Sequence, residues 1–344
     1  MLDGIKLGVG GVAIVAAFLL GVAFFLSWER PPIESEQIGY DGVGMVTHTN
    51  PRIDAELQAR NEPPISMGRM PPGGQPAGEV YENVQVLGSL SEDQFNQLMV
   101  SITNWVSPDE GCAYCHNVEN MASDEVYTKI VSRRMIQMTQ HINANYESHV
   151  GQTGVNCYTC HRGNHVPEYL WVEEDGVDPA KGMTADRQGQ NLATEIAVYS
   201  SLPYTALEDL LTQPGAQIRV QEGQALPTVP LEPGTKKTEV TYSLMMNMSD
   251  GLGVNCTYCH NSRSWADWEQ SPPARATAWH GIQMAQDVNA NYLIPLQSAL
   301  PAHRLGPAGD APKASCATCH QGLPLPMNGA PMLEDHPELG RVME

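Results

Sequence analysis

Cys112-Ala-Tyr-Cys115-His116, Cys157-Tyr-Thr-Cys160-His161, Cys256-Thr-Tyr-Cys259-His260 and Cys316-Ala-Thr-Cys319-His320 are four copies of one pentapeptide, Cys-x-x-Cys-His. Together they hold all eight cysteines of the 344-residue chain. The pattern reads as covalent attachment of c-type haem. The two thiols add across the two vinyl groups of the macrocycle, and the adjacent histidine reaches the iron from the same side. A redox Cys-x-x-Cys pair has no need of a histidine after the second cysteine in every copy, and a zinc knuckle would not confine every cysteine to this pattern. Four covalently bound haem c groups are therefore expected, with His116, His161, His260 and His320 as iron ligands.

Outward from the motifs, each is preceded by a segment with helical apolar spacing. The first helix is expected to start at Ser91, with Gln94 completing a capping-box pattern. Phe95, Leu98, Met99, Ile102 and Val106 then share a face. The second is expected from near Ser123, with Tyr127, Ile130, Val131, Met135, Met138 and Ile142 as its apolar stripe. The third covers roughly Thr238 to Met248 and the fourth roughly Arg275 to Leu293.

Units two and four share a phrase. Ile136-Gln-Met-Thr-Gln-His-Ile-Asn-Ala-Asn-Tyr146 matches Ile282-Gln-Met-Ala-Gln-Asp-Val-Asn-Ala-Asn-Tyr292 at an offset of 146. Units one and three match through Leu98-Met99 and Leu244-Met245, each upstream of a Cys-x-Tyr-Cys-His-Asn run. The expected fold is mainly α with long irregular connections: a multihaem cytochrome c built as a tandem duplication of a two-haem helix–loop–motif unit, plus one N-terminal transmembrane helix. The expected parts are an anchor over 1–30, an extended N-terminal segment over 31–80, a first two-haem half over 81–165 and a connector over 166–235. A second two-haem half over 236–322 and a tail over 323–344 complete the chain. Within the connector, Ala216 to Gln221 alternates as a short strand would.

The chain carries 19 Lys+Arg against 39 Asp+Glu, a net charge of −20. Nucleic-acid binding is excluded, because phosphate contacts need a basic face. An acidic surface can steer a basic soluble partner, or simply keep the protein in solution. Only 6% of residues are aromatic, with four Phe, so four buried macrocycles would replace missing apolar volume. Gly and Pro are abundant, at 31 and 26 residues, which points to long irregular connections. Covalent haem attachment places the mature domain outside the cytoplasm.

Residues 7 to 26 contain no charge. Twenty apolar residues in a helix span roughly 30 Å, the thickness of the bilayer hydrocarbon. Lys6 precedes the run, Trp28 is placed as an interfacial anchor, and Glu29 and Arg30 end it. The run is long for the apolar region of a signal peptide, and no small-x-small cleavage site follows closely. An uncleaved anchor in membrane lipid is expected.

An iron held by one histidine needs a sixth ligand, or an open face if it does chemistry. Methionine gives a high potential and suits electron transfer. Met99, Met135 and Met245 lie on the first three helices, upstream of His116, His161 and His260. A helical methionine is usually core filler, but the Leu-Met pair recurs in units one and three. Met138, Met246 and Met248 remain competitors. In unit four the position of Met135 is Gly281, so that helix has lost its ligand, although Met284 is present. His149 maps to Pro295 and is specific to unit two. It is the candidate to cross to the fourth haem and complete bis-His ligation. His48, His141, His165, His280, His303 and His336 are read as surface or structural residues.

From about residue 80 to the end, the sequence resembles the tetrahaem cytochrome c subunits of purple bacterial photosynthetic reaction centres. The resemblance rests on Val84-Gln-Val-Leu-Gly88, Trp105-Val-Ser-Pro108, Gln152-Thr-Gly-Val155 before Cys157-Tyr-Thr-Cys-His-Arg-Gly163, Asn255-Cys-Thr-Tyr-Cys-His-Asn261 and Leu300-Pro-Ala. It implies His/Met ligation for three haems, falling on Met99, Met135 and Met245, and bis-His ligation for the fourth through His149. It also implies that Arg275 matches an arginine beside the third haem, where positive charge favours reduced iron. Many members are anchored by a lipid-modified cysteine. Here no cysteine precedes Cys112, so the apolar segment has to supply the anchor.

The resemblance further implies an electron carrier rather than an enzyme. It would sit on the periplasmic face of the photosynthetic inner membrane, against core subunits carrying the bacteriochlorophyll special pair. Its donor would be a soluble periplasmic c-type cytochrome or a high-potential iron–sulfur protein, with the third haem next to the special pair and the first farthest out. A membrane-anchored tetrahaem quinol dehydrogenase is the alternative, disfavoured by three methionine ligands and their high potentials. A multihaem reductase would need an open iron, and here each iron has a candidate ligand.

Overall fold

The computed structural model describes residues 2–28, 31–37, 45–151, 153–173, 194–220 and 234–340, with side chains from residue 10 onward. Glu29, Arg30, Gln152 and Gln221, named above, lie outside the described residues. Helix α1 runs from Leu2 to Leu26. Its large apolar side chains, among them Ile14, Phe18, Leu20 and Phe25, are exposed on all sides, and Trp28 packs on Phe24 and Phe25. Among the described residues no helix is long and apolar enough to cross a membrane.

The segment over 31–80 is not extended throughout. Strands β1 (Glu34–Gln37) and β2 (Val46–Thr49) pair antiparallel, with Glu34 opposite Thr49. Helix α2 (Pro51–Arg60) follows, its Asn50 side chain accepting from the Arg52 N–H and Pro51 at the first position. Both are local helix-start signals. Helix α3 (Ala77–Val80) is a single turn.

Helix α4 (Glu92–Val106) starts where its capping residue predicts, with the Ser91 hydroxyl accepting from the Gln94 N–H. It buries Gln97, Leu98, Ser101 and Trp105, one face at helical spacing. Helix α5 (Tyr127–Asn145) begins later than Ser123, because the residues ahead of it are held in a turn: the Ser123 hydroxyl accepts from the Glu125 N–H and the Asp124 carboxylate binds Arg133. Ile130, placed in the apolar stripe, is exposed. Helix α6 (Glu147–Val150) and α7 (Cys157–His161) complete the first half.

In the connector, α8 (Ala206–Leu211) buries Leu207, Leu210 and Leu211. No strand forms over 216–220. The segment lies instead along helices, the Ile218 carbonyl accepting from Thr241 and the Ala216 carbonyl from Gln286. Helix α9 (Thr235–Leu252) starts earlier than expected. Helix α10 (Ala274–Val288) passes into a π turn over Asn289–Leu293. Helix α11 (Cys316–His320) carries the fourth motif.

Two apolar clusters organise the chain. One gathers Leu87, Leu90, Leu98, Trp105, Ile136 and Leu339. The other gathers Trp171, Leu207, Leu210, Leu244, Met248 and Ile282. The way each short motif helix docks is the same in both halves. The Gly163 N–H, after the second motif, donates to the Trp105 carbonyl at the end of α4. The Gly322 N–H, after the fourth, donates to the Gly251 carbonyl at the end of α9. Gly251 is required there, because a Cβ would stand 2.9 Å from the Ala317 nitrogen.

Candidate functional site

The four motifs fold in two alternating ways. The first and third form tight 3-10 turns, over Gly111–Tyr114 and Cys256–Tyr258. The second and fourth form single α turns, each closed by a reciprocal capping box, Asn156 with Thr159 and Ser315 with Thr318, and each ending in a left-handed residue, Arg162 or Gln321. The histidines alternate in the same manner. Nδ1 of His116 bonds the carbonyl of Met121 at 3.1 Å, and Nδ1 of His260 that of Trp265 at 3.0 Å, each five residues on. Nδ1 of His161 bonds the carbonyl of Asn164 and Nδ1 of His320 that of Leu323, both at 2.9 Å and three residues on.

A carbonyl can only accept, so each Nδ1 carries the proton and each Nε2 keeps its lone pair. That is the tautomer a metal-ligating histidine needs, and the carbonyl also fixes the ring. Burial lowers the pKa of His161 and His260, and burial followed by the neighbouring His149 brings His320 down to about 4. These imidazoles are neutral near pH 7.

His149 is a fifth histidine of this type. Its Nδ1 bonds the Thr277 carbonyl of α10 at 3.0 Å, and burial lowers its pKa. Its ring faces that of His320, with centroids 5.9 Å apart, a separation that suits two imidazoles on either side of one metal ion with bonds of about 2 Å. Gly281 on α10 makes the room. A Cβ there would lie 2.5 Å from His149 Cε1 and 2.8 Å from Nδ1. Gly281→Ala is accordingly expected to destabilise the fold by about 1–3 kcal/mol, the usual range for overpacking, or to expel the His149 ring. Thermal unfolding and the spectrum of the fourth site read the two outcomes.

A cavity of about 670 Å³ lies between the halves, within the size range of cofactor sites. The second and fourth motifs line it with Cys157, Cys160, Cys316 and Cys319, and Tyr258 and Cys259 of the third motif reach it. Met135 lines it, as do Met138, Met248 and Met284. Lining alone does not choose among them. Met135 and Met99 share a backbone feature, however: their carbonyls accept the Thr139 and Thr103 hydroxyls one turn on, at 2.9 and 2.8 Å. Met99 is half-buried against the first apolar cluster and Met245 against the second. Arg162 binds the Thr159 and Cys319 carbonyls and Asn61, while its buried second guanidinium nitrogen has no partner among the described residues.

The thiols of Cys157, Cys259 and Cys316 are held protonated rather than activated. Burial pushes Cys157 up to about 12 and Cys259 and Cys316 up to about 11. A redox Cys-x-x-Cys pair needs the opposite shift. The structure joins Cys160 to Cys319, with Cα atoms 4.5 Å apart. We read this as the close approach of two motifs rather than as a structural cross-link, since a sulfur in a disulfide is lost to thioether formation and each motif is otherwise complete.

The sequence missed a set of buried amides. Asn143 binds Val155 through both its carbonyl and its amide, and Asn289 binds Ala314 likewise. Val155 and Ala314 each stand two residues before a motif. Gln140 and Gln286, both almost fully buried, reach the Glu338 and the Leu210 carbonyls. The signal was available in the repeated phrase, which keeps Gln and Asn at the same places in both halves. His141, read as a surface or structural residue, bonds Asp287 at 2.6 Å, and Tyr146 bonds the same carboxylate at 2.8 Å.

Residues 29–340 match the family described as photosynthetic reaction centre cytochrome C subunit. The chain is 46% identical over 335 residues to the photosynthetic reaction center cytochrome c subunit of Thermochromatium tepidum, covering 97% of this chain and 80% of that one. It is 45% identical over 328 residues to the subunit of the same name from Rubrivivax gelatinosus, covering 95% and 88%. A more distant match is cytochrome c-554 of Chloroflexus aurantiacus, 26% identical over 290 residues, covering 71% and 69%.

Proposed function

The chain belongs to the family of photosynthetic reaction centre cytochrome c subunits, electron carriers associated with the reaction centre core at the bacterial inner membrane, and from that premise we propose how its residues serve the transfer. When bound, haem c supplies a one-electron Fe(III)/Fe(II) couple. Four such groups are held through Cys112 and Cys115, Cys157 and Cys160, Cys256 and Cys259, and Cys316 and Cys319. His116, His161, His260 and His320, each tied through Nδ1 to a carbonyl, would present Nε2 to the irons. Met99, Met135 and Met245 complete the first three sites and His149 the fourth. The observation that carries this reading is the set of five histidines whose Nδ1 is tied to a backbone carbonyl.

Contacts between motifs support a line in the order first, second, fourth, third. Tyr114 of the first motif stacks on His165, just past the second, with centroids 3.9 Å apart. The second and fourth meet at Cys160 and Cys319, and the third and fourth share the cavity through Cys259 and Cys316. Cys112 at one end is exposed, whereas Cys157 at the centre is buried. The centre also supports a tandem duplication with the two halves facing one another. Arg162 donates to the Cys319 carbonyl and Gln321 to the Cys160 carbonyl, a reciprocal contact between corresponding residues. His141 and Asp287, at equal positions in the repeated phrase, bond each other.

Electrons would enter from a soluble periplasmic c-type cytochrome or high-potential iron–sulfur protein and leave to the photooxidised special pair. A flash given to native membranes under reducing conditions is expected to bleach the haem α band as the special pair recovers. A flash that leaves the α band unchanged overturns the reading. Helix α1, apolar and exposed on every side, supports anchoring in lipid. Mass spectrometry of the purified subunit is expected to find residues 7–26 retained, and a mature start near residue 30 would remove the anchor.

A further inference from the structure

We infer that Lys129 is a positioning residue for the first haem, which raises its reduction potential through the carbonyl that holds His116. The inference rests on the reading of His116 as an iron ligand.

Lys129 lies on α5 and is 7% exposed. Its ammonium group donates to the carbonyls of Met121, Ala122 and Ser123 at 2.9, 2.8 and 2.8 Å. These close the loop that follows the first motif. The Met121 carbonyl is the one that accepts Nδ1 of His116. One oxygen thus serves the imidazole and a cation together. The carbonyls of Asn164, Trp265, Leu323 and Thr277, which hold the other four histidines, have no lysine donor among the described residues.

Two effects of one sign follow. A carbonyl polarised by an ammonium group is a weaker acceptor, so His116 keeps its Nδ1 proton more fully and donates less charge to the iron. The buried positive charge also opposes the positive charge gained on oxidation. Both favour the reduced state. The counter-charge is incomplete: Asp124 lies 3.2 Å from Lys129 but is shared with Arg133 at 2.8 Å, leaving two cations to one carboxylate. The arrangement has a counterpart in the other half. Arg275, at the offset of 146, donates to the Asp267 carbonyl in the loop that holds His260.

The test is a redox titration of the purified complex, with haem content per chain read first. In Lys129→Gln the potential of one haem is expected to fall, shifting its oxidised-to-reduced ratio tenfold at fixed ambient potential, about 59 mV for one electron. Lys129→Arg should restore it. Asp124→Asn should move the same haem the opposite way, which a merely structural role for the loop would not do. The haem is identified as the first if it is also the one altered by Met99→His. Four haems with unshifted potentials, or both variants shifting in one direction, overturn the inference. Fewer than four haems per wild-type chain would instead count against the haem reading on which it rests.

Discussion

His149→Ala is expected to leave three haems with unchanged low-spin spectra and turn the fourth high-spin. The reasons lie on both sides of the iron site. His320 is neutral and tied at Nδ1 to the Leu323 carbonyl, so one axial bond survives. On the other face α10 has no thioether at the position of the second unit's Met135, because Gly281 stands there, and its lack of a Cβ leaves room for the His149 ring. Removing that ring leaves a gap of imidazole size, and added imidazole should refill it and restore the low-spin spectrum. The variant also loses the bond to the Thr277 carbonyl, one tie between α6 and α10, and should melt earlier. Visible and electron paramagnetic resonance spectra check the outcome. Four low-spin haems in the untreated variant would show that another group, Met284 foremost, is the ligand.

Met245→His should slow re-reduction of the special pair after a flash by tenfold or more. Imidazole stabilises oxidised iron relative to a thioether and lowers the potential. Each loss of about 59 mV moves the one-electron equilibrium tenfold against the donor. The site can take the change. Leu244 is fully buried and fixes α9, whereas Met245 is half-buried at the edge of the same cluster, as are Val240 and Trp279. Histidine is no longer than methionine, so the helix keeps its seat. Flash kinetics at the wild-type rate, with the substitution confirmed, would mean that Met246 or Met248 is the ligand or that the third haem is not the immediate donor.

What could be read from the residues was whatever is settled locally or stated twice. Ser91 caps α4 by accepting from the Gln94 N–H, although the Gln94 side chain turns to the Ser91 hydroxyl and the Met70 carbonyl instead of completing a capping box; Asn50 with Pro51 carried the same kind of signal for α2, unread inside a segment taken as extended. The repeat exposed the loss at Gly281 and so pointed to His149. The misses share a cause, namely partners that lie outside the segment being read. The start of α5 slipped past Ser123 because Lys129 and Arg133 draw those residues into a turn. The alternating stretch at 216–220 has no strand to pair with, and its carbonyls go to Thr241 and Gln286. Asn143 and Asn289 show in the sequence only as part of the repeated phrase, yet each clamps the chain ahead of a motif. A polar group on a buried face is informative only once its acceptor is known.

The central junction has a consequence for maturation. The walls around the second and fourth motifs come from both halves, held by contacts such as His149 with Thr277, 128 residues apart, and Arg162 with the Cys319 carbonyl, 157 apart. A macrocycle attached here would take the two sulfurs of one motif, while the cavity around it is lined from both halves, with Met135 and His161 on one side and Gly281 and His320 on the other. Under the proposed haem reading, the walls of these two sites are complete only when both halves are in place, so filling the sites and docking the halves are coupled. The first motif, with Cys112 exposed, is less enclosed by the second half.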